Sequence, residues 1–143
     1  MFMKNVITFH IIANAALGTG LSGGDRIFIE CTKRWAKVGH NVYVYVCEEG
    51  HAMCIRDGLC DVGYVIWPAA VYRNFGFTVF YLARALKGVI ETLKLRIPEA
   101  TENVVVYSSS DFWPDFIPAW LFKMKFKRFK WVAAFYLFAP IPF

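Results

Sequence analysis

The chain has 143 residues, which suits one domain with its own core and leaves no room for a second domain of similar size. Hydrophobic residues make up 57 % of it and aromatic residues 18 %, so we expect apolar surface that meets a second domain, a partner or a membrane. A formal net charge of +5 serves solubility or attracts phosphate, nucleic acid or anionic lipid.

The amino terminus and the cysteines bear on the compartment. No cleavable signal peptide precedes the first strand-like segment, so we expect a cytoplasmic chain with free thiols at its four cysteines: Cys31, Cys47, Cys54 and Cys60. His51, Cys54 and Cys60 match no common zinc spacing and lack a fourth ligand, so no metal is expected.

Hydrophobic patterning predicts strands that alternate with helices. Strands are expected over residues 6–10, 41–47, 64–67, 103–107 and 130–138, and helices over 24–38, after residue 76 and over 114–127. Residues 51–61 are read as irregular, with at most one short helical turn. This alternation implies an α/β fold of three layers with a parallel sheet of at least five strands.

The helical faces are assigned from the same periodicity. In the first helix the buried face is expected to carry Ile27, Cys31, Trp35 and Val38. The helix after residue 76 has an aliphatic face and a charged one, and we expect the aliphatic face to be buried. That face comprises Val79, Leu82, Ala83, Leu86, Ile90 and Leu93, opposite Arg84, Lys87, Glu91 and Lys94.

The glycine-rich stretch over residues 17–26 lies between the first strand and the first helix. Glycine lets the backbone approach a ligand, and the first amides of a helix favour an anion. The stretch is therefore a candidate phosphate cradle, with a mobile surface turn as the alternative. Because ligands of parallel sheets bind at the carboxyl ends of strands, we expect residues 10–26, 47–49 and 108–115 to share one rim.

Residues 18–23 also match the dinucleotide fingerprint, and Glu48 falls near the end of the next strand, where a ribose-binding acid would stand. In dinucleotide folds the first glycine follows the strand almost at once, whereas here a long connection intervenes. An NAD-dependent oxidoreductase with a Rossmann fold stays an alternative, as does a non-enzymatic nucleotide or nucleic-acid binding module.

The first helix begins with Ser22-Gly23-Gly24-Asp25-Arg26, and Gly39-His40 closes it before a valine-rich strand. A strand with a polar tip, Ser108 to Asp111, comes later. This combination resembles the N-terminal, acceptor-side domain of GT-B glycosyltransferases of the group 1 (family-4) type, a Rossmann-like domain. The resemblance covers most of the chain, residues 1–143, and implies transfer of a glycosyl group from a nucleotide-sugar donor to an acceptor hydroxyl, without a further cofactor.

The resemblance assigns roles to particular residues. Gly23 and Gly24 would let the backbone approach the donor diphosphate, and Arg26 would add positive charge or lie on a solvated face. Asp111, together with Ser110, would bind a hydroxyl of a sugar or lipid-linked acceptor, with an N-cap as the alternative role of Asp111. His10 would face the cleft or the core. The catalytic histidine of many relatives has no counterpart here, so the catalytic residues stay unassigned.

Family members carry a second Rossmann-like domain that holds most of the nucleotide-sugar. These residues do not encode it, so the chain is expected to be a fragment of a longer enzyme, inactive alone and prone to self-association.

Basic and aromatic residues interleave over residues 122–131. This pattern is typical of a single-stranded nucleic-acid contact, of an interfacial membrane patch at the inner face of the membrane, or of a helix end whose lysines extend over buried aromatics. The apolar tail over residues 131–143 is too short to span a bilayer.

Overall fold

The computed structural model describes residues 6–16, 20–68, 70–98 and 103–135. The strands are β1 (Thr8–Ile12), β2 (Asn41–Cys47), β3 (Gly63–Trp67), β4 (Val104–Ser108) and β5 (Lys130–Ala133). The α-helices are α1 (Gly23–Lys37), α2 (Glu48–Arg56), α3 (Phe77–Lys94) and α4 (Trp113–Lys125), and a 3₁₀ helix spans Ala70–Phe75.

The five strands form one parallel sheet in the order β3-β2-β1-β4-β5. β1 lies at its centre, with Ile12 paired to Tyr45 of β2 and to Ser108 of β4. Helices connect the strands, as right-handed crossovers between parallel strands require. The expected α/β class with a five-stranded parallel sheet is confirmed.

Each face of the sheet has its own core. On one face Phe28 and Ile29 of α1 and Met53 of α2 pack against Phe9 and Ile11. On the other face Ala119 and Phe122 of α4 pack with Ile12, Tyr45 and Trp67. Because successive side chains of a strand point to opposite faces, β1 supplies both cores and is buried along its whole length.

Several predicted boundaries were wrong. β1 extends to Ile12, so His10 is in the middle of the strand and not at its tip. Residues 48–56, read largely as irregular, form α2, whose first turn carries Glu48 and Glu49 where the helix dipole favours negative charge. In α1 the buried residues are Phe28, Ile29 and Thr32, whereas the predicted Ile27 and Val38 are exposed.

The predicted face of α3 was also wrong. Its buried residues are Phe80, Arg84, Ala85, Gly88 and Thr92. The aliphatic face points to solvent, with Leu86 61 % and Leu93 57 % exposed. The cause is close packing at Gly88, where an added Cβ would lie 2.6 Å from Pro118 Cγ and 2.8 Å from Trp67 Cζ3. This close approach turns the small and polar face of α3 inward.

Some predictions fall outside the described residues. These are the amino-terminal residues 1–5, part of the dinucleotide fingerprint at 17–19, the end of the fifth predicted strand and the apolar tail at 136–143. Within the described ranges, no helix combines the length and the apolar character needed to cross a bilayer.

Candidate functional site

The strand order places a switch point beside β1. From β1 the chain builds β2 and β3 on one side, and then continues with β4 and β5 on the other side. In open α/β sheets ligands bind in the crevice outside the carboxyl ends of the strands, at such a reversal. Here the crevice lies between residues 13–16 and 20–22, after β1, and residues 109–112, after β4.

The amino terminus of α1 contributes backbone amides at this rim. Ser22 is the N-cap, and its hydroxyl accepts from the amide of Asp25 at 3.1 Å, while the Asp25 carboxylate accepts from the amide of Ser22 at 2.9 Å. The first amides of a helix have no partner within it. Among the described residues this capping box leaves the amides of Gly23 and Gly24 without an acceptor.

The space around Gly23 is open. A Cβ built on Gly23 meets no atom within 4 Å. Arg26 is exposed one turn into the helix, so its guanidinium adds positive charge near the same end. The Asp25 carboxylate acts in the opposite direction, because it already occupies part of the favourable field of the helix terminus.

A buried carboxylate joins the two connections. Asp115, in the first turn of α4, accepts through Oδ1 from the amide of Ala15 at 2.7 Å. Its Oδ2 accepts from the hydroxyls of Ser109 at 3.0 Å and Ser110 at 2.5 Å. Burial raises the pKa of Asp115 to about 6, although these hydrogen bonds and the nearby Arg84 charge favour the carboxylate.

Arg84 fixes the same connection from α3. Its Nη1 donates to the carbonyls of Asn14 at 3.2 Å and Ala15 at 3.0 Å, and the Asn14 side-chain amide donates to the Arg84 carbonyl at 2.6 Å. The Arg84 guanidinium also lies 4.7 Å from the centre of the Phe80 ring. Asp115 and Arg84 together hold residues 14–15 in place, which makes both of them positioning residues for the rim.

Among the predicted acceptor residues, Asp111 and Ser110 follow β4 at the rim. Ser110 is engaged, since its hydroxyl donates to Asp115 and accepts from the amide of Phe112 at 3.3 Å. Asp111 is half-buried, and the N-cap of α4 is Phe112, so the alternative role of Asp111 as the cap was wrong. Asp111 is therefore the better placed of the two for a ligand.

His10 lies in the core and not in the cleft. Its Nδ1 is 2.8 Å from the Tyr45 hydroxyl, and its ring stacks on Tyr43 with centroids 5.4 Å apart. The rings of Phe122 and Phe129 also lie against it. Burial lowers the pKa of His10 to about 4, so the imidazole is neutral at pH 7.

A shallow depression of about 450 Å³ lies at the opposite edge of the sheet, between the amino ends of β2 and β3, where Asn41 and Gly63 line it. That edge is not where parallel sheets bind ligands. Across the described ranges no group of three or more His, Cys, Asp or Glu side chains is arranged to hold a metal ion.

Sequence reasoning missed Asp115 and Arg84 as individual residues. Asp115 lies within the predicted rim segment. The signal that could have identified it is its place in the first turn of a helix with a proline near its start, shortly after a run of serines. Arg84 gave no such signal, because it falls among the charged residues of α3. Its burial depends on the long-range packing of α3 against α4.

In comparisons with protein-family models, curated proteins and solved structures, no match to this chain was found. What it binds therefore has to be inferred from its own residues.

Proposed function

We propose that this chain is the N-terminal, acceptor-side domain of a GT-B glycosyltransferase, which moves a glycosyl group from a nucleotide-sugar to an acceptor hydroxyl. The observation that carries the proposal is the position of the Gly23-Gly24 pair. The pair forms the first two residues of α1, the helix that follows the central strand β1, at the switch point of a Rossmann-like sheet. The sequence resemblance of this segment and of residues 37–44 adds to it.

On the donor side, the diphosphate would accept hydrogen bonds from the amides of Gly23 and Gly24. These groups are rigid because the helix and its capping box hold them, and the helix dipole favours the anion. Arg26 would add a charge interaction from the exposed surface of the first turn. The open space around Gly23 leaves room for a phosphate to approach the backbone.

On the acceptor side, Asp111 would accept a hydrogen bond from a sugar hydroxyl. Ser110 is already used by Asp115, and His10 is in the core, so neither is retained as a direct ligand. Asp115 positions the rim instead, because it hydrogen-bonds both to Ser109, after β4, and to Ala15, after β1.

A nicotinamide-dependent oxidoreductase is the second candidate, and one observation favours it. Glu48 is exposed at the first position of α2, directly after β2, on the strand beside β1. A ribose-binding acid stands at the end of that strand in dinucleotide folds.

Ligand-observed NMR titration of the chain separates the candidates. The panel is a uridine-diphosphate sugar, NAD⁺ and a single-stranded oligonucleotide. We expect binding of the sugar nucleotide with a dissociation constant of about 1 mM, worth about 4 kcal/mol, because a helix terminus supplies phosphate contacts alone. Tighter binding of NAD⁺ would replace the glycosyltransferase proposal with the oxidoreductase, and binding of the oligonucleotide alone would favour a nucleic-acid module.

Two variants locate the site in that titration. Gly24→Val places a branched side chain on the cradle and should abolish binding, with Ala52→Val, on the exposed surface of α2, as the matched control. Asp25→Asn keeps an acceptor for the Ser22 amide but removes the competing charge, so affinity should rise roughly two- to fivefold. Asp61→Asn makes the same charge change at the opposite edge of the sheet and should have no effect.

A further inference from the structure

The helix layer formed by α3 and α4 has an apolar outer surface. The residues that define this α3–α4 outer face are each 45–61 % exposed: Val79, Leu82, Leu86, Leu93, Trp113, Trp120 and Met124. Soluble domains rarely leave a contiguous apolar surface of this kind in water, and such surfaces mark interaction sites.

The outer face is a fixed consequence of the core packing. Gly88 of α3 approaches Pro118 of α4 and Trp67 of β3 so closely that no side chain fits there. Arg84 and Thr92 are buried on the same inner side, where Arg84 bonds to the β1 connection and the Thr92 hydroxyl bonds to the Gly88 carbonyl at 2.7 Å. Rotating α3 to bury Leu82 and Leu86 would break the contacts of Gly88 and Arg84, whereas the Thr92 bond lies within α3.

Contacts join the two helices at both ends of the face. At the amino ends, the ring of Tyr81 lies 6.4 Å from that of Trp113, and its hydroxyl accepts from the Trp113 amide at 3.0 Å. At the carboxyl ends, the Lys125 ammonium donates to the carbonyls of Leu93 and Leu95 at 2.6 Å and 2.5 Å. The exposed Val71 and Phe75 of the 3₁₀ helix extend the apolar surface beyond α3.

Among the described residues, basic side chains outnumber acidic ones along the border of the face; the segment after α3 also carries Glu99 and Glu102, outside the described residues. In α3 and α4 the acidic residues are Glu91 and the buried Asp115. The basic residues that reach the surface of the two helices and of the segments that follow them are Lys87, Lys94, Arg96, Lys123, Lys125, Lys127 and Arg128. An apolar protein partner would not require this excess of cations, whereas an anionic lipid surface attracts it.

We propose that the α3–α4 outer face docks on the interface of an anionic lipid bilayer. The leucines and Met124 would enter the boundary between headgroups and acyl chains, as the apolar faces of interfacial helices do. Trp113 and Trp120 match the preference of indole rings for that boundary. Lysine and arginine at the border would contact anionic headgroups. This surface overlaps residues 122–131 at Met124 and at the basic residues of its border, whereas Phe122 and Phe129 of that segment are buried and Lys123 and Arg128 bond to backbone carbonyls.

The experiment is sedimentation of the whole chain with vesicles of phosphatidylcholine, with and without 30 % phosphatidylglycerol, at low and high salt. We expect binding to the anionic vesicles that falls at least tenfold at high salt. Leu82→Glu/Leu86→Glu should lose binding at least tenfold. The matched control, Ile27→Glu/Ile55→Glu, changes two exposed apolar residues of α1 and α2 on the other side of the sheet and should bind within twofold of the unchanged chain.

A second readout reports the depth of insertion. Brominated lipids should quench the fluorescence of Trp113 and Trp120. Their share is the difference in quenching between the unchanged chain and the Trp113→Phe/Trp120→Phe variant. Equal binding to neutral and anionic vesicles, or equal loss in the two glutamate pairs, would overturn the proposal. A third combination would also overturn it: light scattering finds the unchanged chain to be a dimer and Leu82→Glu/Leu86→Glu a monomer, while both bind vesicles equally. The face would then join two copies of the chain.

Discussion

Asp115 and His10 are both buried, and burial moves their pKa values in opposite directions. The pKa of Asp115 rises from 3.8 to about 6, whereas that of His10 falls from 6.5 to about 4. Between pH 3.8 and about pH 6 the folded chain holds a proton on Asp115 that the unfolded chain has released. The contribution of Asp115 to the free energy of unfolding therefore falls as pH rises. Between about pH 4 and pH 6.5 the unfolded chain holds a proton on His10 that the folded chain has released. The contribution of His10 to the free energy of unfolding therefore rises with pH.

The two effects oppose each other between about pH 4 and pH 6, each worth about 3 kcal/mol. In Asp115→Asn the amide retains the shape and an acceptor for the Ala15 amide, while the serine hydroxyls can turn to accept. We therefore predict that the free energy of unfolding of this variant rises by about 3 kcal/mol from pH 4 to pH 6.5. The unchanged chain should show a much flatter profile.

Urea unfolding at several pH values checks this prediction. Asp61→Asn, an exposed carboxyl at the far edge of the sheet, is the control and should follow the profile of the unchanged chain. Parallel profiles for Asp115→Asn and the unchanged chain would mean that Asp115 carries no shifted proton in the fold.

At the scale of elements, sequence patterns identify α3 as a helix but not its inward face. Its aliphatic stripe is the stronger signal, yet the buried side is set by Gly88 meeting Pro118 and Trp67, which lie 30 and 21 positions away in the chain. Local periodicity contains no information on such partners. α2 was missed for a related reason, since Gly50 near its start is a poor helix former, yet a Cβ added there would lie only 3.3 Å from the Cβ atoms of Ala16 and Val46.

Gly88→Ala tests the packing that orients α3. Alanine favours a helix over glycine by about 1 kcal/mol, but here its methyl group would overlap Pro118 and Trp67. We predict a net loss of about 1–3 kcal/mol in the free energy of unfolding, the usual cost of overpacking. In chemical denaturation, Gly23→Ala should be neutral, because the space around Gly23 is open. A Gly88→Ala chain as stable as the unchanged one would show that α3 can shift.

At the scale of the whole molecule, the sequence predicts the class of fold because alternating strands and helices leave few topologies. β2 was placed at its observed bounds, since valine and tyrosine alternate without interruption and a glycine turn precedes them. The rim segments were predicted from the same topology. The contacts that join them were not, because Ala15 bonds to Asp115 across 100 positions and to Arg84 across 69.

We propose that the amino terminus of α1, at the switch point of the sheet, binds a diphosphate. The most direct measurement is the ¹H–¹⁵N correlation spectrum of the chain during titration with uridine diphosphate. We predict that the amide signals of Gly23 and Gly24 shift most, with saturation at about 1 mM ligand, and that Gly24→Val abolishes the shifts while the dispersed spectrum of the fold persists. Shifts confined to other residues, with Gly23 and Gly24 unmoved at saturation, would contradict it.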